Sequence, residues 1–192
     1  MNEKMTGFGG LEFMLNEETC SPQEGNALCG VAVGKAFLYN CLKIPLTTAE
    51  FIERAQTGHE IIEETQTGAI LKRHNIVEDG VDEPNWDKLA NYHNLNVYKD
   101  PNGDIDKLKH VLELGLWPIV HRPFEEDGDG HYIIVHNVNG KVQFFDPSKE
   151  IGGFKEESYE EFYNKWYLDS DGERWFMVMY DKTKHPIPVK TL

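Results

Sequence analysis

The 192-residue chain has few cysteines and no long apolar run. Its three cysteines, Cys20, Cys29 and Cys41, form no Cys-x-x-Cys pair, so neither a disulfide framework nor a zinc knuckle is indicated, and a reducing compartment suits them. The N-terminal segment lacks the basic start and apolar stretch of a signal peptide, and no later segment approaches the length of a membrane span. We therefore expect a cytoplasmic protein with no membrane partner.

Basic residues are also scarce, with 19 Lys and Arg against 33 Asp and Glu, which gives a formal net charge of -14. Such a charge repels phosphate backbones and anionic lipids, so nucleic acid is not an expected partner. The hydrophobic share of 40% is typical of a packed globular protein. We expect a single domain over residues 1–192, with a lead-in segment over 1–20 and a tail over 181–192.

The pattern of apolar residues predicts helices in the earlier part of the chain and antiparallel strands towards its end. Gly30 to Leu42 is apolar nearly all round, which predicts a buried central helix. Thr47 followed by Glu50 predicts a capping box at the start of a second helix. Asn139-Gly140 lies between two β-prone runs and predicts a tight hairpin. This order predicts an α+β domain.

Further elements follow from the same patterns. The sequence predicts a short helical turn over 67–76, helices over 85–95, 104–115 and 158–167, and strands over 116–123 and 174–181.

Cys29 stands directly before the predicted central helix, in the stretch QEGNALCGVAVGKAF. A helix N-terminus stabilises a thiolate through its partial positive charge and its free backbone N–H groups. A buried apolar cysteine and a metal ligand are the other interpretations, because free cysteine is among the most buried residue types. A nucleophilic role also requires a base and a donor for the oxyanion.

Eight histidines are available as the base. Three of them lie in the predicted strand region, namely His121, His131 and His136. The others lie in polar or helical stretches, where a solvated surface role is the default interpretation. These others are His59, His74, His93, His110 and His185.

The predicted hairpin separates His131 from His136. With a two-residue turn at 139–140, the count of paired residues places His131 on the face of the sheet that carries Asp146. An imidazole and a carboxylate at the diagonal distance of about 7–8 Å can pair, and the carboxylate then fixes the imidazole tautomer. His136 falls opposite Gln143 on the other face, which indicates a structural role. A bulge in either strand would reverse this parity.

Gln23 lies six residues before Cys29 and can supply its side-chain amide to an oxyanion, beside the backbone N–H of Cys29. Two acidic loops, over 125–131 and 169–173, suggest calcium ligands. Neither has the glutamate that completes a calcium hand, so solvated turns explain them better, and we expect no metal or cofactor. The pair Gly9-Gly10 is interpreted as part of a flexible lead-in rather than as a self-processing site.

Several motifs in this order resemble the papain-like cysteine peptidases. They are Gln23-x5-Cys29-Gly30, a Gly-x-x-Pro-Ile-Val strand over 115–120, GHYIIV over 130–135 and FFDP over 144–147. The sequence is most similar to cysteine peptidase family 39, the bacteriocin-processing peptidases fused to peptide exporters, and to their stand-alone relatives. The resemblance runs from about residue 23 to 180, and it implies a papain-like α+β fold in which a central N-terminal helix packs on a small antiparallel sheet.

Carried over residue by residue, the resemblance implies Cys29 as the nucleophile, His131 as general base and acid, Asp146 as the orienting acceptor and Gln23 in the oxyanion hole. Two differences from the exporter-linked members are noted: we expect no membrane or ATPase domain, and Leu28 stands where those members often carry an acidic residue. The expected function is hydrolysis of an amide or peptide bond through a thioester acyl-enzyme, with a peptide or protein substrate. Acyl transfer at the same site and an inactive binding module are the alternatives, and the oligomeric state stays open.

Overall fold

A computed structural model describes residues 4–6, 12–14, 20–65, 68–123, 130–149, 152–166 and 173–185. The helices in these ranges are α1 (Cys29–Leu42), α2 (Thr48–Ala55), α3 (Ile76–Asp79), α4 (Glu83–Tyr92), α5 (Ile105–Glu113) and α6 (Tyr159–Lys165). The strands are β1 (Lys4–Thr6), β2 (Glu12–Met14), β3 (Glu60–Thr65), β4 (Gly68–Arg73), β5 (Asn96–Asp100), β6 (Ile119–Pro123), β7 (Gly130–Val138), β8 (Val142–Asp146), β9 (Gly153–Glu157) and β10 (Phe176–Tyr180). The predicted α+β class is confirmed.

Six of these strands form one antiparallel sheet in the order β5-β10-β6-β7-β8-β9. Every residue of β10 is buried, and so is most of β7 near the middle of the sheet. A strand buried on both faces needs a continuous apolar sequence, which FMVMY in β10 provides. Helix α1 packs against β7. The central helix and its antiparallel sheet are therefore arranged as predicted.

Two glycines let neighbouring elements approach α1 closely. A Cβ atom on Gly30 would lie 2.7 Å from Cβ of Val81, and one on Gly34 would lie 2.5 Å from Cε2 of Phe51. Glycine in a helix costs about 1 kcal/mol relative to alanine. Here the close packing against both neighbours offsets that cost, because any side chain would displace them. The helix that begins at Cys29 is thereby held against α2 and against the segment that precedes α4.

The predicted helix boundaries follow local capping signals. Thr47 Oγ1 accepts from the N–H of Glu50 at 3.2 Å, and Glu50 Oε2 accepts from the N–H of Thr47 at 2.8 Å. This is the predicted capping box of α2. Gly115 follows α5 with φ of +77°, a conformation that favours glycine. Among the described residues, none of the helices combines the length and the apolar character that a membrane span requires.

The helical turn predicted over 67–76 is wrong. Residues 68–73 instead form β4, which pairs with β3 from Glu60↔Arg73 to Thr65↔Gly68. The apolar residues of this segment do not mark a buried helix face, since Leu71 is 63% exposed. The edge strands β5 and β9 were also not predicted, because each is short and rich in polar residues.

Candidate active site

Cys29 is the first residue of α1, and only 9% of its surface is exposed. The residue before it, Leu28, is the N-cap and makes no side-chain capping hydrogen bond. The first N–H groups of a helix have no acceptor within the helix, so they leave a partial positive charge at its start. The Cys29 side chain lies at this end of the helix.

The β7–β8 hairpin differs from the prediction in two ways that compensate for each other. Its loop has three residues, 139–141, rather than two, and a β-bulge adds one residue, His136, to β7. Gln143 therefore faces Asn137 instead of His136, which corrects the predicted pairing. One extra residue in the loop and one in β7 leave the register at Asp146 unchanged. For that reason His131 and Asp146 still lie on the same face of the sheet, as predicted.

The structure brings Cys29, His131 and Asp146 together from the starts of α1 and β7 and from the end of β8. His131 Nε2 lies 2.9 Å from Asp146 Oδ1, and both side chains are buried. The same imidazole interacts with Cys29 through a hydrogen bond and through charge. Because Nε2 faces the carboxylate, Nδ1 is the ring nitrogen that is available to the thiol.

The contacts of His131 decide its charge. Burial lowers the pKa of His131, but the hydrogen bonds to Asp146 and Cys29 outweigh burial and raise it to about 9. The ring is therefore an imidazolium at neutral pH. His131 therefore places a positive charge beside the Cys29 sulfur.

Two side chains that the sequence reasoning missed hold Asp146. Its Oδ1 accepts from the N–H of Ser148 at 3.0 Å and from the Ser148 hydroxyl at 2.7 Å, and its Oδ2 accepts from Lys155 Nζ at 2.9 Å. Burial alone raises the pKa of Asp146, but the hydrogen bonds from His131, Ser148 and Lys155 hold it well below its usual range. An Asp-x-Ser spacing is a sequence signal for the first contact. Lys155 comes from β9, a strand that was not predicted.

Gln23 is linked to the site through its backbone, since its N–H donates to the carbonyl of Pro147 at 2.8 Å. Its side-chain Nε2 donates to the carbonyls of Gly25 at 2.7 Å and Asn26 at 2.9 Å. Its Oε1 is buried and has no hydrogen-bond partner among the described residues. Both amide protons are thus engaged by the loop before Cys29. The oxyanion role of Gln23 stays a prediction, and it requires the amide to leave these carbonyls.

Tyr132, the residue after His131, contacts several aromatic rings beside the site. The ring of His121 stacks on Tyr132 at 4.4 Å, and the rings of Trp86 and Trp175 contact it edge-on at 5.7 and 6.0 Å. Burial and the nearby charge of His131 lower the pKa of His121 to about 4. His121 is therefore a neutral, stacked residue at physiological pH, beside the charged histidine of the site.

Other histidines confirm or correct the sequence interpretation. His136 lies between the rings of Trp117 and Phe154, at 5.8 and 5.6 Å, and burial lowers its pKa to about 4. His74 was expected on the surface, which is wrong, because only 4% of it is exposed.

Other predictions fall outside the described residues: the pair Gly9-Gly10, and the two acidic loops apart from 130–131 and 173.

One solved structure similar to this chain is the peptidase domain of Streptococcus ComA, a bi-functional ABC transporter involved in a quorum sensing pathway. The similarity has a TM-score of 0.56 and covers 83% of this chain and 95% of that one, with 15% sequence identity. The chain has a papain-like peptidase fold. The resemblance found in the sequence is confirmed at the level of the fold. No family model and no curated protein matches the sequence.

Proposed function

We propose that the protein is a cysteine-dependent hydrolase that cleaves an amide or peptide bond with Cys29, His131 and Asp146. One observation carries the proposal: the buried imidazole of His131 contacts both the Cys29 thiol and the Asp146 carboxylate. A nucleophile, a base and an acceptor that orients the base form the arrangement that acyl transfer to a thiol needs. The papain-like fold supports this assignment.

The first half of the reaction forms the acyl-enzyme. The Cys29 thiolate attacks the carbonyl carbon, and the oxygen takes up the negative charge near the N–H groups at the start of α1. The tetrahedral intermediate then collapses, and the C–N bond breaks. His131 gives its Nδ1 proton to the leaving amine, so the products are a free amine and a thioester on Cys29.

The second half releases the acyl group. Neutral His131 takes a proton from water, and the oxygen of that water attacks the thioester carbonyl. The C–S bond breaks, a carboxylic acid leaves, and the thiolate–imidazolium pair is restored. Transfer to an amine in place of water uses the same residues and gives an amide instead.

Alkylation of Cys29 by iodoacetamide across pH tests the proposal, with each modified cysteine identified by mass spectrometry. In the wild-type protein we expect Cys29 to react well below pH 8, because the imidazolium stabilises its thiolate. His131→Ala should lower the rate near pH 6 by about tenfold or more. His110→Ala, which removes a half-exposed histidine on α5, is the matched control and should leave the rate unchanged.

A Cys29 rate that follows the pH profile of free cysteine would contradict the enzyme interpretation and favour a binding module.

The substrate can be sought by a separate trapping experiment. Immobilised Cys29→Ala protein and the wild-type protein are incubated with the same cell extract. Peptides or proteins retained by the variant and released as two fragments by the wild type are the expected substrates. Retention of the same intact proteins by both would show binding without turnover.

A further inference from the structure

Three side chains that can ligate a metal meet at the base of the β3–β4 hairpin. His59 comes directly before β3, His74 directly after β4, and Asp82 directly before α4. His59 Nε2 lies 2.8 Å and His74 Nε2 lies 3.6 Å from the same atom, Asp82 Oδ2. One ligand atom from each of the three residues lies within 4.8 Å of the other two.

We propose that His59, His74 and Asp82 bind a divalent transition-metal ion, with Zn²⁺ as the best match. Tetrahedral zinc has bonds of about 2.0–2.1 Å, which place two ligand atoms about 3.3 Å apart. The distances of 2.8 and 3.6 Å to Asp82 Oδ2 lie on either side of that value. Two imidazoles and one carboxylate suit zinc, and the fourth position is left for water.

Residues behind His59 orient it as a metal ligand. Thr57 Oγ1 lies 2.5 Å from His59 Nδ1, and it also accepts from Asn85 Nδ2 at 3.2 Å. The second lone pair of the Thr57 oxygen can accept the Nδ1 proton of His59, and the lone pair on Nε2 is then left for an ion in front of Asp82. A ligating histidine that donates from its other nitrogen is the usual arrangement at metal sites. Asn85 is fully buried and also donates to the carbonyl of Ala55 at 3.2 Å.

Asp82 divides its two oxygens between two tasks. Oδ1 accepts from the N–H of Asn85 at 3.3 Å and thereby caps α4. Oδ2 faces the two histidines. The helix cap therefore holds the carboxylate in place without using the oxygen that an ion would bind.

The environment of His74 is the second observation that favours a ligand. The ring is 4% exposed, and its Nδ1 has no hydrogen-bond partner among the described residues. Its Nε2 points at Asp82 Oδ2 from 3.6 Å, which is beyond hydrogen-bond length. A buried imidazole held in this way has lost its hydration without full replacement. A bond from Nε2 to an ion in front of Asp82 would give this buried ring a polar partner, while Nδ1 would keep none among the described residues.

The site has a structural consequence for the hairpin. Isolated two-stranded ribbons are only marginally stable, and this one exposes apolar residues such as Ile62 and Leu71. An ion would tie both ends of the ribbon to the start of α4. Val81, next to Asp82, packs against Gly30 of α1. The ion would thereby order the hairpin and fix its base beside the helix that carries the candidate nucleophile.

Cobalt binding tests the proposal on the full chain in a Cys29→Ala background, because the Cys29 thiol lies with His131 and Asp146 and could compete for the ion. Metal-free protein is titrated with Co²⁺, and the visible d–d absorption is followed. We expect saturation at one equivalent, displacement of Co²⁺ by Zn²⁺, and an upward shift of the thermal unfolding midpoint with Zn²⁺.

Two variants remove ligands and spare the local structure. Asp82→Ser keeps a good helix N-cap but loses the carboxylate, and His74→Phe keeps a buried ring but loses the nitrogens. Each should weaken Co²⁺ binding about tenfold or more and abolish the Zn²⁺ shift, whereas His110→Ala should change neither. Unfolding midpoints measured without metal show that each variant is folded. Failure of the parent to bind one equivalent, or unchanged binding in both variants, would overturn the proposal.

Discussion

The central sheet and the β3–β4 hairpin both contain β-prone apolar residues, yet they lie in opposite environments. Every residue of β10 is buried, whereas Ile62 and Leu71 of the hairpin are 71% and 63% exposed. The four inner strands of the sheet pair on both sides, and α1 and α5 pack on β7, whereas β3 and β4 pair only with each other. Apolar content alone therefore does not place a strand in the core. The neighbours that cover it do.

The same difference separates the two candidate sites. His131 and Asp146 lie on adjacent strands of the packed sheet, where opening requires cooperative loss of structure. His59 and His74 lie at the ends of a ribbon whose only described strand partner is its own second strand. A site that needs a fixed geometry benefits from the packed sheet. A site that an added ligand can order suits the β3–β4 hairpin.

The largest expected effect is on stability in the sheet. Phe144 of β8 is fully buried against Phe162 of α6, with ring centroids 5.8 Å apart. Phe144→Ala should lower the free energy of unfolding by about 3–5 kcal/mol, because it leaves a cavity in a packed layer. Urea denaturation monitored by tryptophan fluorescence measures this. A loss below about 1 kcal/mol would show that this layer repacks easily and would weaken the contrast with the hairpin.

The next effect is a pH dependence that originates in the sheet site. The pKa of folded His131 is about 9 against 6.5 for an ordinary histidine, so its contribution to stability is complete below pH 6.5 and is lost as pH rises to 9. We expect the free energy of unfolding to fall by about 1–3 kcal/mol over this range. Urea unfolding at a series of pH values should show this fall in the wild type and in Leu71→Thr but not in His131→Ala. An equal fall of the free energy of unfolding in His131→Ala would show that another titratable group causes the pH dependence.

A smaller effect is expected at Lys155, which donates to Asp146 Oδ2. Lys155→Met keeps the aliphatic stem but removes the charge, so the pKa of Asp146 should rise towards its ordinary value. The acid limb of the stability curve should then begin at a higher pH, with a loss of about 1 kcal/mol near pH 4. Acid unfolding followed by circular dichroism measures the shift. Lys155→Arg keeps the positive charge and should retain most of the wild-type stability near pH 4. If Lys155→Met unfolds at the same acid pH as the wild type, Lys155 does not lower the pKa of Asp146.

The smallest effect is expected on the hairpin surface. Leu71→Thr replaces an exposed apolar residue with a β-branched polar one, and it should change the free energy of unfolding by no more than about 0.5 kcal/mol. Urea denaturation under the conditions used for Phe144→Ala allows direct comparison. A loss above about 1.5 kcal/mol would show that this face is covered in solution and that the two regions are less different than described.

Local signals in the sequence were sufficient for much of the fold and the candidate site. The apolar run after Cys29 and the Thr47–Glu50 pair each determine a helix through neighbouring residues, so both were predictable. His131 and Asp146 were placed together by counting along one hairpin. That count held because the bulge at His136 compensates for a three-residue loop, which no local pattern in the sequence indicated.

The tertiary structure alone decided which distant segments meet. Lys155 reaches Asp146 because β9 pairs with β8, although β9 is too polar to be recognised by hydrophobic alternation. His59, His74 and Asp82 converge only when β3 pairs with β4 and the residue that caps α4 lies against the base of the hairpin. Sequence periodicity reports which face of an element is buried and therefore determined the elements and the face of His131. It carries no information on which elements become neighbours, since that depends on packing over the whole chain.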